Sequence, residues 1–193
     1  KGWFSAALHP SEPHIIITAS QNLQPTQTHL AEKIRFLLNV DAQPNAIAQV
    51  LSQNPVLRQL TQTTPGLRVP GTLDVFELAL RTVLGQQITV KAASTIFGRF
   101  VQRFGEPIDT PITGLTHLTP RAQVVAAATE QELIDLGLTT RRAQTVQLIA
   151  RVIANGSINL TRLPDGVDKA AQSAAIRAQL QALKGIGPWT AQY

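Results

Sequence analysis

The residues best suited to chemistry lie near the end of the sequence, in a short turn that contains two glycines. Gly185 and Gly187 flank one apolar residue and Pro188 follows them, which predicts two helices joined by a tight hairpin. The free amide groups of such a hairpin lie beside the positive end of a helix dipole and can bind a phosphate group. Lys184 adds a positive charge at the rim. The simpler alternative is an ordinary turn with a glycine at the helix C-cap.

Two aromatic residues follow the hairpin on the second predicted helix. Trp189 and Tyr193 are four residues apart, so they share one helix face. On an open face the two rings could stack against an electron-poor base, and a cationic base is attracted to the face of an aromatic ring. The alternative is that both rings pack in the protein core.

Composition and charge restrict the classes of function. A chain of 193 residues with 44% hydrophobic residues can bury a full core, so we expect one folded domain with a small appendage. A net charge of +5 is compatible with a polyanionic partner and equally with a plain basic surface. Because the chain has no cysteine, disulfides, thiol nucleophiles and cysteine-ligated metals are excluded within it. We find no membrane span and no signal peptide in the sequence, so we expect a cytoplasmic protein without a membrane partner.

The elements that must position the hairpin are mostly helical. Short strands are predicted at residues 3–8 and 14–19, as a β-hairpin that is marginal alone and that we expect to belong to a larger sheet. Helical periodicity and capping residues predict about ten helices after it. Their predicted starts are Pro25, Asp41 with Pro44, Val56, Leu73, Thr89, Thr119–Pro120, Thr129, Thr139 or Thr140, Asp168 and Pro188. The predicted fold class is therefore mostly α, a multi-helix bundle with a helix-hairpin-helix motif, preceded by a remnant β-hairpin of a small α+β domain.

Three strings of the sequence resemble one known family. Residues 183–191 read L-K-G-I-G-P-W-T-A, residues 65–71 read P-G-L-R-V-P-G, and residues 84–90 read L-G-Q-Q-I-T-V. They resemble the helix-hairpin-helix base-excision DNA glycosylases. Within that group the chain is most similar to the AlkA-type 3-methyladenine DNA glycosylase II, over nearly its whole length.

The resemblance implies a DNA repair enzyme of bacteria that is associated with the nucleoid and acts as a monomer on double-stranded DNA. Enzymes of this type flip alkylated purines such as 3-methyladenine and 7-methylguanine out of the duplex and hydrolyse the N-glycosidic bond. The resemblance also implies two domains. Residues 1–22 would be the last strands of an N-terminal α+β domain, and residues 23–193 would form the helix-hairpin-helix domain, incomplete at its C-terminus.

The site residues of the family carry over onto four matching side chains. Trp189 and Tyr193 fall on positions that line the base pocket. Gln87, with Gln86 beside it, falls where the family inserts a wedge into the vacated position of the duplex. The alternative for the two glutamines is an ordinary polar start of a helix.

The hairpin itself would hold the DNA backbone. The resemblance places Gly185, Gly187 and Lys184 at a DNA phosphate. No cofactor is required, but a monovalent cation, Na⁺ or K⁺, would be held there by backbone carbonyls. The carbonyls in question belong to Gln181, Leu183 and Ile186.

No catalytic residue can be assigned within the chain. The catalytic aspartate of the family is expected roughly 15–20 residues past the hairpin, several helical turns along and beyond Tyr193. Asp165 and Asp168 do not match that position. We therefore expect the 193-residue chain to bind DNA without excising bases efficiently.

Two alternatives to an alkylpurine glycosylase stay open. One is a helix-hairpin-helix module that binds DNA without catalysis. The other is a glycosylase/lyase for oxidised purines, but such enzymes commonly carry a Schiff-base lysine where this chain has Trp189, which favours a monofunctional enzyme.

Arginine pairs elsewhere, Arg99 with Arg103 and Arg141 with Arg142, could contact DNA or could simply form solvated helix faces. The four histidines show no metal-binding spacing; they are His9, His14, His29 and His117.

Overall fold

The computed structural model describes residues 1–160 and 168–192, with the backbone alone at Lys169. It divides into two compact units, Lys1–Leu73 and Asp74–Tyr193. The boundary predicted between residues 22 and 23 lies inside the first of these units, where a short 3-10 helix that begins at Gln21 packs on the helix after it. Among the described residues, no helix combines the length and the apolar character needed to cross a membrane.

The first unit begins with the β-hairpin that the sequence predicts. Strands β1 (Phe4–Leu8) and β2 (Ile15–Ala19) pair antiparallel, with Phe4 opposite Ala19 and Leu8 opposite Ile15. This confirms both predicted strands. Four of the five residues in each strand are exposed within the described structure.

Three α-helices complete the first unit: α1 (Gln27–Leu37), α2 (Pro44–Leu51) and α3 (Pro55–Thr63). Pro25 does not open α1, as the sequence predicts, but lies inside the 3-10 helix Gln21–Thr26. The starts of α2 and α3 are close to their predicted places because a proline stands in the first turn of each. Asn54 caps α3 by accepting from the backbone N–H groups of Val56 and Leu57.

The second string of the family resemblance has a structural explanation in this unit. One guanidinium nitrogen of Arg68 donates to the backbone carbonyls of Asn39, Val40 and Ala42, at 2.6, 3.0 and 3.0 Å. These carbonyls lie in the turn that follows the end of α1, and Asn39 O also accepts from the N–H of Ala42. Arg68 therefore ties the loop at residues 65–71 to the end of α1.

In the described residues of the second unit, seven helices form a bundle: α4 (Val75–Leu84), α5 (Val90–Phe104), α6 (Ala122–Ala127), α7 (Glu130–Asp135), α8 (Thr140–Ala154), α9 (Lys169–Gln181) and α10 (Pro188–Gln192). Helix α8 packs against α4, α6 and α7. Its residues Ala143, Val146 and Ala150 are fully buried, as are Leu80 of α4 and Phe100 of α5. The mostly-α fold class is thus confirmed.

Most helix starts in the second unit follow local capping rules. Thr89 and Thr139 accept from backbone N–H groups in the first turns of α5 and α8, and Asp168 does so for α9. Thr129 and Glu132 form the predicted capping box at α7.

Two predicted helix starts in the second unit lie two residues too early. Helix α4 begins at Val75, with Asp74 as its N-cap, and not at Leu73. Thr119 was expected to cap a helix that begins at Pro120, but α6 begins at Ala122 after Arg121. The Thr119 hydroxyl instead donates to Glu77 Oε2 at 2.6 Å. The Thr119 side chain is thus held by another helix, 42 residues away in sequence, and Arg121 stands at the N-cap position of α6.

The capping box makes stability depend on pH. The backbone N–H of Thr129, and after it the Arg103 side chain, hold the pKa of the Glu132 carboxyl below its usual value of 4.5. A lowered folded pKa stabilises the fold above the unfolded pKa, and this contribution is lost as the pH falls through the folded pKa. We expect the protein to be more stable than its Glu132→Gln variant at pH 7, with the difference shrinking below about pH 4.5. Urea unfolding from pH 7 to pH 3 measures it, and a difference that stays constant over this range would contradict the assignment.

Candidate nucleic-acid interface

The glycine turn forms the tight hairpin that the sequence predicts. After α9, the N–H of Leu183 donates to Leu180 O, and the N–H of Ile186 donates to Leu183 O. Gly185 has a φ of +94°, in the region that favours glycine. Ile186 is only 6% exposed and belongs to the core of the second unit, whereas Lys184 and Gly187 are exposed. The buried Ile186 side chain anchors the hairpin, while Lys184 and Gly187 face solvent.

The hairpin has two amide donors of interest, one at the half-buried Gly185 and one at the exposed Gly187. Thr145 Oγ1 of α8 donates to Lys184 O at 3.2 Å. Because the peptide plane is trans, the N–H of Gly185 points opposite to that carbonyl and away from α8. Within the described residues, neither the Gly185 N–H nor the Gly187 N–H donates to a protein acceptor. With the exposed Lys184 beside them, these groups suit an anion such as phosphate.

The two glutamines between α4 and α5 have different environments. Gln86 is half-buried, and its side-chain Nε2 donates to Gly185 O at 3.2 Å and to Thr190 Oγ1 at 3.0 Å. Gln87 is exposed and has a φ of +57°, which is uncommon for a residue other than glycine. The side chain of Gln86 is therefore engaged by the hairpin, which speaks against its use as a wedge, whereas Gln87 is accessible.

An open cleft of about 380 Å³ lies beside the hairpin in the second unit. Trp189 forms part of its wall and is 66% exposed, so this ring does not pack in the core. Across the cleft the guanidinium of Arg81 lies 3.5 Å from the centre of the Phe97 ring, a cation–π contact. The remaining lining residues are Leu78, Thr82, Gly85, Ile88, Val90, Ala93 and Ser94. Within the part of the chain that the structure describes, the lining contains no acidic residue and one cation, Arg81, in a mainly apolar wall.

The predicted partner of Trp189 cannot be placed. Tyr193 lies outside the described residues, as does Asp165. Asp168, which the sequence analysis sets aside as a catalytic candidate, caps α9 through the N–H groups of Ala170 and Ala171.

Most of the candidate DNA-contacting arginines have partners within the protein. Arg99 donates to Leu136 O, where α7 ends, and Arg103 pairs with Glu132 at 2.8 Å. Arg142 donates to Gln86 O at 2.6 Å and so supports the glutamine loop. Arg141, one residue before it in the first turn of α8, is exposed and remains a candidate for a DNA contact.

The carbonyls predicted to hold a monovalent cation lie in the same hairpin. Leu183 O already accepts from the N–H of Ile186 at 3.1 Å, and a carbonyl oxygen has a second lone pair. The carbonyls of Lys184 and Gly185, between the predicted ligands, are engaged by Thr145 and Gln86. A cation held by Gln181, Leu183 and Ile186 stays a prediction.

Sequence reasoning missed the residues that hold the hairpin in place. Thr145 and Thr190 lie on α8 and α10, and Gln86 reaches Thr190 across 104 residues of sequence. No local pattern encodes such pairings. Arg81 had a detectable signal, because Glu77 stands four residues before it on α4 and the two form an ion pair at 2.7 Å.

The β-hairpin formed by β1 and β2 brings two histidines and a glutamate together. His9, Glu12 and His14 each offer a ligand atom, and these atoms lie within 4.8 Å of one another. The linear spacing gave no hint of this, because the strand register places His9 against His14. However, Nδ1 of His9 accepts from the N–H groups of Ser11 and Glu12. In a neutral ring the other nitrogen then carries the proton, so His9 in this state has no lone pair for a metal.

Comparison with known proteins agrees with this geometry. A family model described as HhH-GPD superfamily base excision DNA repair protein matches residues 80–188, more than half of the chain. A second, described as AlkA N-terminal domain, matches residues 1–74. The chain is 37% identical over 160 residues to a probable bifunctional transcriptional activator/DNA repair enzyme AlkA of Mycobacterium tuberculosis, covering 83% of this chain and 30% of the relative. It is 32% identical to DNA-3-methyladenine glycosylase 2 of Escherichia coli, covering 92% of this chain and 57% of the relative.

Solved structures share the fold. The chain matches a 3-methyladenine DNA-glycosylase from Archaeoglobus fulgidus with a TM-score of 0.70 and 21% identity, over 97% of this chain and 60% of that one. An 8-oxoguanine glycosylase/lyase of Clostridium acetobutylicum in complex with double-stranded DNA gives a TM-score of 0.71 at 15% identity, over 96% and 60%. The chain thus spans about 60% of these proteins and less of the curated relatives. Its fold, its hairpin and the match across residues 80–188 together establish that this chain belongs to the HhH-GPD superfamily of base excision DNA repair proteins.

Proposed function

We propose that this chain is the DNA-binding body of a monofunctional glycosylase that flips and hydrolytically excises alkylated purines, 3-methyladenine and 7-methylguanine, from duplex DNA. The observation that carries the proposal is the exposed Trp189 ring on the wall of an open cleft, directly beside the hairpin with its two amide donors. A stacking surface and a phosphate site must be neighbours in a protein that holds an extruded base and its backbone.

Trp189 would supply the base-stacking wall, with Tyr193 beside it. A methylated purine carries a positive charge, and the face of an indole ring attracts cations. The mainly apolar lining of the cleft supports this role, because a site with little competing polarity favours stacking over hydration.

The hairpin would fix the DNA backbone. The N–H groups of Gly185 and Gly187 and the charge of Lys184 would contact a phosphate, as a sequence-independent anchor. A monovalent cation, Na⁺ or K⁺, at the carbonyls of Gln181, Leu183 and Ile186 would add positive charge there; no other cofactor is proposed. The partner would be double-stranded DNA, bound by a monomer at the bacterial nucleoid.

Gln87 would act as the wedge. Its exposed side chain and left-handed backbone place it at the tip of the loop between α4 and α5. A glutamine amide has both donors and acceptors, so it can fill the vacated position and bond the orphaned base.

The catalytic carboxylate would lie beyond this chain. Among the described residues none that lines the cleft is acidic, and the curated relatives are longer than this chain. An aspartate roughly 15–20 residues past the hairpin would stabilise the cationic sugar or activate water. The 193-residue chain alone would then bind DNA without efficient excision.

One alternative has an observation in its favour. A cleft whose described lining holds no carboxylate is also what a non-catalytic DNA-binding module would have. Excision assays with the 193-residue chain extended through its downstream coding sequence separate the two functions. Release of 3-methyladenine or 7-methylguanine by the extended protein supports the glycosylase. No release, together with salt-sensitive binding of any duplex, supports the module.

Replacing Trp189 tests the stacking role in the chain itself. We expect Trp189→Ala to weaken binding to a duplex that contains 7-methylguanine about 10- to 100-fold, because one aromatic stacking partner is lost. Binding to the same duplex with guanine should change far less. Fluorescence anisotropy with both duplexes measures the effect.

The control for this prediction is Trp189→Phe, which keeps a ring at the cleft and should retain most of the preference. Equal loss of affinity for both duplexes in Trp189→Ala would contradict the stacking role. In that case the ring would contribute only to general DNA contact.

A further inference from the structure

Gln86 is the point at which three parts of the candidate site meet. Its side-chain Nε2 donates to Gly185 O in the hairpin and to Thr190 Oγ1 in α10, the residue next to Trp189. Its backbone carbonyl accepts from Arg142 of α8 at 2.6 Å. Gln87 follows it directly in the chain. The same residue therefore contacts the phosphate-binding turn, the helix that carries the stacking ring, and the loop that carries the wedge.

These contacts restrain the orientation of the peptide groups in the glycine turn as well as their distance from Gln86. The bond from Gln86 to Gly185 O holds the peptide plane that follows Gly185, and the bond from Thr145 to Lys184 O holds the plane before it. Both peptide planes that flank Gly185 are thus contacted by side chains from outside the hairpin, and the plane after Gly185 is also held by the bond from the N–H of Ile186 to Leu183 O. Gln87 has a left-handed backbone, a conformation that persists in a non-glycine residue only where the surroundings enforce it.

We infer that Gln86 is a positioning residue that couples the Gln87 wedge loop to the phosphate-binding hairpin, so that both engage damaged DNA as one rigid unit. It acts through its two side-chain bonds and does not touch the DNA. The inference rests on the proposed function, because it assigns Gln86 a task only if Gln87 enters the duplex. Phosphate contacts set the register of a protein on DNA. A wedge that is coupled to these contacts is therefore positioned at the vacated site in the duplex.

The test uses the full 193-residue chain and two duplexes, one with a tetrahydrofuran abasic site and one intact. The measured quantity is the discrimination ratio, the Kd for the intact duplex divided by the Kd for the abasic duplex. We expect Gln86→Leu, which keeps the size of the side chain and removes its donors, to lower this ratio about 10-fold, the effect of one or two net hydrogen bonds. The salt dependence of binding to the intact duplex should be unchanged, because no phosphate contact is removed.

The decisive comparison is a double-mutant cycle with the wedge. If Gln86 acts through Gln87, then Gln86→Leu should have no further effect on the ratio in a Gln87→Ala background. Additive losses would overturn the inference, since Gln86 would then act independently of the wedge. An unchanged ratio in Gln86→Leu would overturn it as well.

A second pair of variants keeps the test valid if Gln86→Leu fails to fold. Thr190→Val removes the hydroxyl that accepts from Gln86, and Thr190→Ser retains it. The valine variant should lower the ratio about 3-fold or more, as expected for one net hydrogen bond, and the serine variant should restore it. Equal ratios in these two variants would count against the coupling. If the unmodified chain already fails to discriminate between the two duplexes, the proposed function itself falls, whatever the variants show.

Discussion

Replacing Gly185 with alanine is expected to lower the free energy of unfolding by about 3 kcal/mol or more, from two additive causes. A φ of +94° is unfavourable for any residue with a Cβ. That Cβ would also lie 2.1 Å from Oγ1 and 3.1 Å from Cβ of Thr145. Both atoms belong to a buried residue of α8, so the hairpin would have to move away from the helix that orients it.

Three glycines of the same unit separate the two causes. Gly156 has a φ of +74° with no atom near an added Cβ. The Gly156→Ala variant should therefore lower the free energy of unfolding only through the unfavourable φ, by about 1–2 kcal/mol. Gly187 has open space around an added Cβ and no left-handed φ, so Gly187→Ala should be neutral or slightly stabilising. Gly105 has an ordinary φ, but an added Cβ would lie 2.3 Å from Val101 O. The Gly105→Ala variant therefore isolates the steric cause.

Urea unfolding followed by far-UV circular dichroism measures this series. Thr145→Ala in the Gly185→Ala background should recover part of the lost stability, because it removes the atom nearest to the new Cβ. If Gly185→Ala costs no more than Gly156→Ala, the close packing of the hairpin on α8 is refuted. Loss of DNA binding should accompany Gly185→Ala even at temperatures where the variant is folded, because the two amide donors depend on this geometry.

Truncating Phe100 is expected to destabilise the second unit by about 3–5 kcal/mol. Phe100 is fully buried in α5, and its ring lies 5.7 Å from that of Phe104, tilted by 53°. Alanine removes the apolar contacts and leaves a cavity that the rigid helices around it can close only partly. The midpoint of urea unfolding, converted with a common m-value, gives the change.

Two control variants of Phe100→Ala lie on the same helix. Phe100→Leu keeps most of the volume and should cost about 1–1.5 kcal/mol. Val90→Ala, at a site that is 84% exposed, should change stability by less than about 0.5 kcal/mol. A loss in Phe100→Ala as small as that in Val90→Ala would be inconsistent with a core position for this ring.

The two aromatic residues Phe100 and Trp189 show where sequence reasoning reaches its limit. Helical spacing on α5 predicts Phe100 in the buried stripe, and the structure confirms it. The same reasoning left the position of Trp189 open between the core and an exposed face. Its 66% exposure is decided by the turn at Gly185 and the burial of Ile186, which orient the start of α10. A single residue type at helical spacing cannot distinguish these outcomes, because burial depends on what the neighbouring helices cover.

The sequence by itself determined the features that arise within a few residues. These include the β-hairpin, the caps at Thr89, Thr129 and Asp168, the glycine hairpin at Gly185, and the mostly-α class, whereas the cap of α8 was narrowed only to Thr139 or Thr140. Each follows from local rules of backbone freedom and capping, which act over one helical turn. The strings around the hairpin also indicated the family, which the match over residues 80–188 established.

Only the tertiary structure decided how the candidate site is held together. Gln86 bonds to Gly185 and Thr190 across about 100 residues, Thr145 contacts the turn, and Thr119 bonds to Glu77 on another helix. The physical reason is that polar side chains have several acceptors and donors within reach, and the folded arrangement of helices selects among them. Spacing along the chain carries no record of that selection, since it is made by the packing of α4, α8 and α10 in three dimensions.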